Sequence, residues 1–340
     1  MTKLPPLDVQ YADYAIWQRK YLSGEVMDKK LNYWANQLKG AVPLELPTDF
    51  KRPKVLGTKG DKCAFTIEKA LMNDLNAYSQ QHGVTLFMTV LSVFKVLLYR
   101  YSNQTDIVVG SAIAGRQQKE LESMIGFFIN TLALRTEFYP EDTFDELLAK
   151  VKATTLGAFE NQEVPFEKIV EVVMGKRDMD TDPLVQVMIG WQNTPELPEL
   201  KLGETKLSTA SSQTESALFD IFLNMVESDY GIQCFIQYNT ELFAKSTIER
   251  MIGHFKNLFR EVIKNHASGI STLSLVDPKE TKLLMDVFNV NSSNIYQTHP
   301  VHAIFEAYAK NKSQRTALVF EGNSTSYGEL NAASNRFAHF

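Results

Sequence analysis

The stretch over residues 86–101 limits most tightly what this chain can become. It is the most apolar run of the sequence, it follows Thr85, and one charge, Lys95, interrupts it. A membrane span needs about twenty apolar residues, so this run is too short and is charged near its middle. It reads as a buried amphipathic helix capped by Thr85. The first six residues hold no apolar run of signal-peptide length. The cytoplasm is the expected location, with no membrane partner.

A buried helix needs a fold around it, and the composition allows one. The chain has 340 residues, which fits about two domains. Hydrophobic residues at 44% supply enough apolar surface to offset ordering entropy, which excludes disorder for the bulk of the chain. Lys and Arg number 35 against 40 Asp and Glu, a net charge of −5 that offers no field for nucleic acid. The two cysteines, Cys63 and Cys234, can build neither a disulfide framework nor a four-thiolate metal site. They read as buried thiols.

Around the apolar run, periodicity sets out a mixed order of helices and strands. Pro5 and Pro6 open an extended arm. Residues 11–38 are helical, with Asp28 as cap of the second half. Pro43, Pro47 and Pro53 force an extended crossing. Residues 63–67 alternate as a strand, and residues 68–82 form a helix that ends at Gly83. Strands follow at 106–113 and 125–138. Helices come next at 143–159 and after Pro165, then strands at 185–191, 218–225 and 232–238. A long helix covers 246–266, with Ile248, Met251, Ile252, Phe255, Leu258, Phe259 and Val262 on one stripe. This pattern predicts a mixed α and β domain with one sheet. After His266 the composition changes. Residues 273–278 read as a docking segment and residues 290–294 as linker. A new pattern then starts, with a strand at 316–320, a turn at 321–323, and a helix from Tyr327 that is still running at Phe340.

Familiar catalytic patterns are absent. The chain has no Walker-type phosphate loop and no Gly-x-Ser-x-Gly elbow. His299 and His302 lack neighbours at metal-ligand spacing. His82 and His266 read as helix-end residues and His254 as a partly buried ring. No metal ligand set and no general base stand out.

Four short stretches resemble, in order, the motifs of condensation domains in nonribosomal peptide synthetases. Tyr11-Ala12-Asp13-Tyr14-Ala15-Ile16-Trp17 resembles Tyr-x-Asp-aromatic-Ala-x-Trp. Residues 125–135, with Ile125-Gly126-Phe127-Phe128-Ile129-Asn130-Thr131 at their start and Arg135 at their end, resemble Ile-Gly-x-Phe-Val-Asn-Thr. Asn161-Gln162-Glu163-Val164-Pro165-Phe166-Glu167 is similar to Asn/His-Gln-Asp-x-Pro-Phe-Glu. Arg177-Asp178 with Asp182-Pro183-Leu184 is similar to Arg-Asp-x-x-x-x-Pro-Leu. Further on, His302-x-x-Phe305-Glu306-Ala307 and Thr325-Ser326-Tyr327-Gly328-Glu329-Leu330-Asn331 resemble the opening of an adenylation domain.

The resemblance implies an α/β (α+β) sandwich, like a lobe of chloramphenicol acetyltransferase, plus an incomplete adenylation-domain start. The expected division is the C-terminal part of a condensation domain at 1–280, linker at 281–297, and a truncated AMP-binding domain at 298–340. The family's His-His-x-x-x-Asp-Gly motif is not in the chain, which has no histidine before His82. The expected function is therefore a share in amide formation between carrier-bound thioesters, without the catalytic histidine. A noncatalytic docking lobe and an epimerization-type relative are the alternatives, and Asn130-Thr131 argues against the latter. The expected partners are peptidyl carrier domains, the lobe with the histidine motif, and the rest of the adenylation domain. Phosphopantetheine would come on the carriers, ATP and Mg only with a complete adenylation domain, and the chain itself is expected to bind no cofactor.

Candidate roles follow from the matched positions. Arg135 needs an ionic partner, expected to be the Asp of the histidine motif across the lobe boundary. Asn130 and Thr131 are expected to shape a tunnel floor. Gly126 permits close backbone approach or a bulge, and Asp13 caps the helix that carries Trp17, or bonds across the lobes. Tyr11, Trp17 and Gln162 are structural members of their motifs. Pro165 starts a helix, with Phe166 in the core, and Arg177 and Asp178 form a local pair.

Overall fold

Two kinds of strand sequence build one sheet: near-continuous apolar runs, and a run that alternates. The computed structural model describes residues 7–174, 184–192, 201–202, 205–206, 215–287 and 299–340. It divides into two compact units, Met1–Pro278 and Lys279–Phe340. The first contains α1 (Tyr11–Tyr21), α2 (Gly24–Gln37), β1 (Lys59–Glu68), α3 (Lys69–Gln81), α4 (Leu86–Ser102), β2 (Asp106–Ile113), β3 (Asn130–Glu137), α5 (Phe144–Glu160) and α6 (Phe166–Met174). It continues with β4 (Val187–Gln192), the two-residue strands β5 (Lys201–Leu202), β6 (Thr205–Lys206) and β7 (Glu215–Ser216), then β8 (Ile221–Ser228), β9 (Gly231–Asn239) and α7 (Lys245–Asn265).

The main sheet has the order β3-β2-β4-β8-β9-β1-β7. The contacts β2–β4 and β4–β8 are parallel, and the remaining neighbours are antiparallel. Burial follows this division. The runs Ile107–Ser111 in β2 and 187–190 in β4 are buried on both faces, as parallel strands require. In β1, Cys63 and Ile67 point inward while Ala64, Thr66 and Glu68 are exposed. β5 and β6 pair with each other outside this sheet.

The apolar run becomes α4, and Thr85 Oγ1 accepts the Met88 amide at 3.3 Å. Every residue from Leu86 to Tyr99 except Phe87 is buried. The helix packs on β2 and between α5 and α7. Its one charge reaches the sheet: Lys95 Nζ donates to Ile107 O at 2.8 Å and Leu134 O at 2.6 Å. Burial lowers its pKa to about 7, against the opposing pull of Asp106. β3 is an edge strand, and its outward carbonyl at Arg135 is covered by Thr154 Oγ1 at 3.0 Å and Gln37 Nε2 at 3.1 Å. Among the described residues no single helix is long and apolar enough to cross a membrane.

Some expectations need correction. The helical stretch breaks at Leu22 and Ser23, because Gly24 opens α2 with φ +54°, so Ser23 takes the cap position and Asp28 lies inside the helix. The strand expected from Ile125 starts only at Asn130, because its partner β2 ends at Ile113, which pairs with Asn130. In the first unit the single sheet is accompanied by the separate β5–β6 pair. The Pro5–Pro6 arm, the linker residues 290–294 and the pair Arg177 and Asp178 lie outside the described residues, and of the wider linker 281–297 the described part, 281–287, is helical.

Where the chain passes into the second unit, a short α8 (Pro278–Lys282) runs into a π-helical turn at Leu283–Val287. The second unit then has α9 (Val301–Asn311), the hairpin β10 (Thr316–Phe320) and β11 (Asn323–Ser326), and α10 (Tyr327–Ala338). Glu321 and Gly322 turn the hairpin with φ +47° and +79°, as a tight two-residue connection demands. Ser326 and Glu329 close a capping box on α10, with Ser326 N to Glu329 Oε2 at 2.8 Å and Glu329 N to Ser326 Oγ at 3.3 Å.

Candidate functional site

Three of the four motifs meet in one cleft of about 290 Å³ within the first unit. α1 contributes Tyr11, Tyr14 and Trp17. The segment before and at the start of β3 contributes Phe128, Asn130 and Thr131, and the α5–α6 connection contributes Gln162, Glu163, Pro165 and Phe166.

α1 has no buried residue of its own, so ring contacts hold it. Phe128 is buried and meets Tyr11 at 5.3 Å edge-on and Tyr14 at 4.9 Å. Arg116 lies over the same phenylalanine, its guanidinium 4.2 Å from the ring centre. Arg116 also fastens its loop by donating to Leu121 O and to Met124 O, the latter at 2.7 Å. Trp17 stacks on Tyr21 at 5.1 Å. Tyr11 donates its hydroxyl to Phe127 O at 3.0 Å.

Gly126 makes this approach possible. A Cβ there would stand 2.2 Å from Tyr11 Cδ2, inside contact distance. Asp13 sits in the first turn of α1, where its Oδ2 accepts the Gln10 amide at 3.0 Å. It is the third helical residue of a capping box whose cap residue is Gln10, so it supports the cap rather than being it.

Asn130 is a bracket. Its Nδ2 donates to Gln162 O at 2.8 Å and Val164 O at 2.7 Å. Its Oδ1 accepts Thr131 N at 2.9 Å and Phe166 N at 3.1 Å. One side chain therefore ties β3 to the α5–α6 connection and caps α6 directly after Pro165. α2 holds the same connection from another side. Lys30 Nζ reaches Glu163 Oε2 and Glu160 O, both at 2.8 Å, and Trp34 Nε1 donates to Asn161 O at 3.0 Å. Gln162 Nε2 turns back to Phe159 O at 2.8 Å. Phe166 is half-buried against the main core rather than fully inside it.

Arg135 lies away from the cleft, and its partner is within the chain. Nε and Nη2 take Asp106 at 2.8 and 2.9 Å, and Nη2 also takes Glu137 at 2.7 Å. Nη1 donates to Gln37 O at 3.1 Å and Lys39 O at 2.8 Å. All five N–H groups are used. The expected partner across a lobe boundary is thus replaced by Asp106, because the β2–β3 ladder sets that carboxylate diagonally opposite.

The cleft can position but has little to titrate. Among the described residues, its lining includes no histidine, cysteine or lysine. The Tyr14 hydroxyl is pushed up by burial first, then by Tyr11 and Glu163, so it stays protonated. Arg116, Lys30 and Trp34 support the cleft from outside the motifs. Nothing local in the sequence marks Lys30 and Trp34, because their partners lie far along the chain.

Comparison with known proteins agrees with this geometry. The condensation domain family matches residues 2–285. A linear gramicidin synthase of Brevibacillus parabrevis is 41% identical over 340 residues, which is 99% of this chain and 7% of that protein. The chain thus spans only a small share of the length of the synthase it matches. A four-domain nonribosomal peptide synthetase bound to AMP and glycine has a similar fold, with TM-score 0.75 and 23% identity over 98% of this chain and 27% of the other. The X-domain from teicoplanin biosynthesis gives TM-score 0.70 and 26% identity, over 81% of this chain and 64% of the other. With its cleft-lining motifs, its mixed sheet and these matches, the chain belongs to the condensation domain family.

Proposed function

We propose that this chain is part of an elongation module of a nonribosomal peptide synthetase and forms one wall of the channel in which a condensation domain makes amide bonds. The observation that carries this is the convergence of Tyr11, Phe128, Asn130 and Pro165, from three separated motifs, on one cleft. In the reaction, an aminoacyl amine on one carrier attacks the acyl thioester on another. The nitrogen forms the C–N bond, the C–S bond breaks, and the thiol leaves with the proton. Holding two tethered substrates in line supplies much of the rate. A wall of aromatic rings fixed by Asn130, Arg116 and Lys30 suits that task. The proton transfer belongs to the family's His-His motif, which these 340 residues do not contain.

The partners in this reading are carrier domains with their phosphopantetheine arms, and a lobe bearing the histidine motif. Residues 298–340 are read as the start of an adenylation domain, with 281–297 as linker. Support comes from the similarity to the four-domain synthetase, which extends over 98% of the chain and so past residue 285. ATP and Mg would enter only with the remainder of that domain.

The test is a chimera in which residues 7–278 replace the matching segment of the linear gramicidin synthase. Peptide formation between loaded carriers is followed by mass spectrometry of the carrier-bound product. Product is expected, and Phe128→Ala is expected to lower its rate at least tenfold. A folded chimera that binds carriers but forms no product would favour the docking role instead.

A further inference from the structure

Outside the cleft, three helix ends converge on one carboxylate. His82 is the residue that closes α3, His266 closes α7, and Asp145 stands in the first turn of α5. His82 Nε2 lies 3.2 Å from Asp145 Oδ1, and His266 Nδ1 lies 2.9 Å from Asp145 Oδ2. One nitrogen or oxygen of each of the three residues lies within 4.8 Å of the others, and all three side chains are partly open to solvent. Along the sequence the two histidines are unrelated helix ends.

The hydrogen bonds around the cluster define its chemistry. His82 Nδ1 is 2.9 Å from Tyr78 O. A carbonyl only accepts, so Nδ1 donates there and Nε2 is the nitrogen turned to Asp145. The outer partners of a metal site are also in place. His82 donates its far nitrogen to a carbonyl, and Asp145 receives the Tyr78 hydroxyl. These contacts orient a ligating imidazole and carboxylate in metal sites. Ligands bound tetrahedrally to zinc stand about 3.3 Å from each other, given bonds of about 2.0–2.2 Å. The separations at Asp145, 3.2 and 2.9 Å, run to its two different oxygens, so an ion there would sit against both.

We propose that His82, Asp145 and His266 form a site for a divalent transition metal, with Zn²⁺ as the fitting ion and water completing the coordination. Two imidazoles and one carboxylate suit zinc and exclude a preference for Mg²⁺ or Ca²⁺, which take oxygen ligands. Bound there, the ion would clasp α3, α5 and α7. Phe144 N already donates to His266 O at 3.0 Å, so the ends of α5 and α7 are held in register before any ion arrives. This site uses none of the residues that line the cleft, and stands or falls apart from the proposed function.

The experiment is a titration of the whole 340-residue chain, stripped with EDTA and dialysed, with ZnCl₂ against a chromophoric chelator. One tightly bound equivalent and a higher Tm are expected. His82→Gln and His266→Gln should each weaken binding at least tenfold, and Tyr78→Phe about tenfold. No binding by the folded wild-type chain, or undiminished binding by both histidine variants, would overturn the site. X-ray absorption on the zinc-loaded wild type needs no variant. Two imidazole shells with nitrogen at about 2.0–2.1 Å are expected, whereas a sulfur shell or a single imidazole would refute the assignment.

Discussion

Arg135 grips Asp106 diagonally across the β2–β3 ladder, Nε to Oδ1 at 2.8 Å and Nη2 to Oδ2 at 2.9 Å. Its Nη1 hydrogens fix Gln37 O and Lys39 O, so one guanidinium joins the sheet edge to the end of α2. Removing it strands a carboxylate and two carbonyls together. Arg135→Ala should cost on the order of 3 kcal/mol in urea unfolding. Arg135→Lys should recover only a small part, since an ammonium lacks the planar fork. Full recovery by lysine would show that charge alone matters.

Asn130 makes four hydrogen bonds to backbone in the cleft wall. Asn130→Ala removes them all and should destabilise the chain by about 2–3 kcal/mol. Asn130→Asp should be no better, because it sets a carboxylate against Gln162 O and Val164 O. Limited proteolysis provides the local readout. Cleavage within residues 160–166 should speed up in both variants, and unchanged cleavage would deny the bracket its role.

Gly126 and Tyr11 share a space that has no room for both the ring and a Cβ on the glycine. Gly126→Ala should displace the Tyr11 ring and with it α1, shifting Trp17 fluorescence to the red. The loss of global stability should be small, because α1 has no buried residue. In the double variant with Tyr11→Ala the two effects should sum to less than their separate values. Strict additivity would mean that ring and glycine do not meet.

Lys95 makes stability depend on pH. Burial lowers its pKa from 10.5 to about 7 in the folded chain. Between those values the unfolded chain holds a proton that the folded one has released. Unfolding then takes up a proton, and stability rises with pH across that window, by about 1.4 kcal/mol per unit at most. Below about pH 7 both states are protonated and the slope from this group vanishes. Lys95→Met should flatten the slope between about pH 7 and 10, as measured by urea midpoints across that range. An equal slope in the variant would locate the titrating group elsewhere.

The elements themselves were legible because local chemistry writes them. The apolar run with Thr85 before it became α4, and residues 106–113 became β2 with the same bounds. Glycine and proline signals worked where the backbone alone decides, as at Gly83, with φ +60°. They failed where a neighbour decides. Ile125 to Ile129 have the composition of a strand, yet β2 ends too early to pair with them. The motifs announced a family without saying why their residues matter.

The sequence by itself determined the helices, most strands and the family. Those rest on periodicity and short motifs, which are properties of neighbours along the chain. Only the tertiary structure decided that Asn130 would serve as a bracket, that Arg135 would spend all its donors on Asp106, Glu137 and the end of α2, and that His82 would meet His266 around Asp145. Each of these depends on which distant groups the sheet order and helix packing bring within about 3 Å, and hydrogen bonds of that range carry no signature in linear spacing.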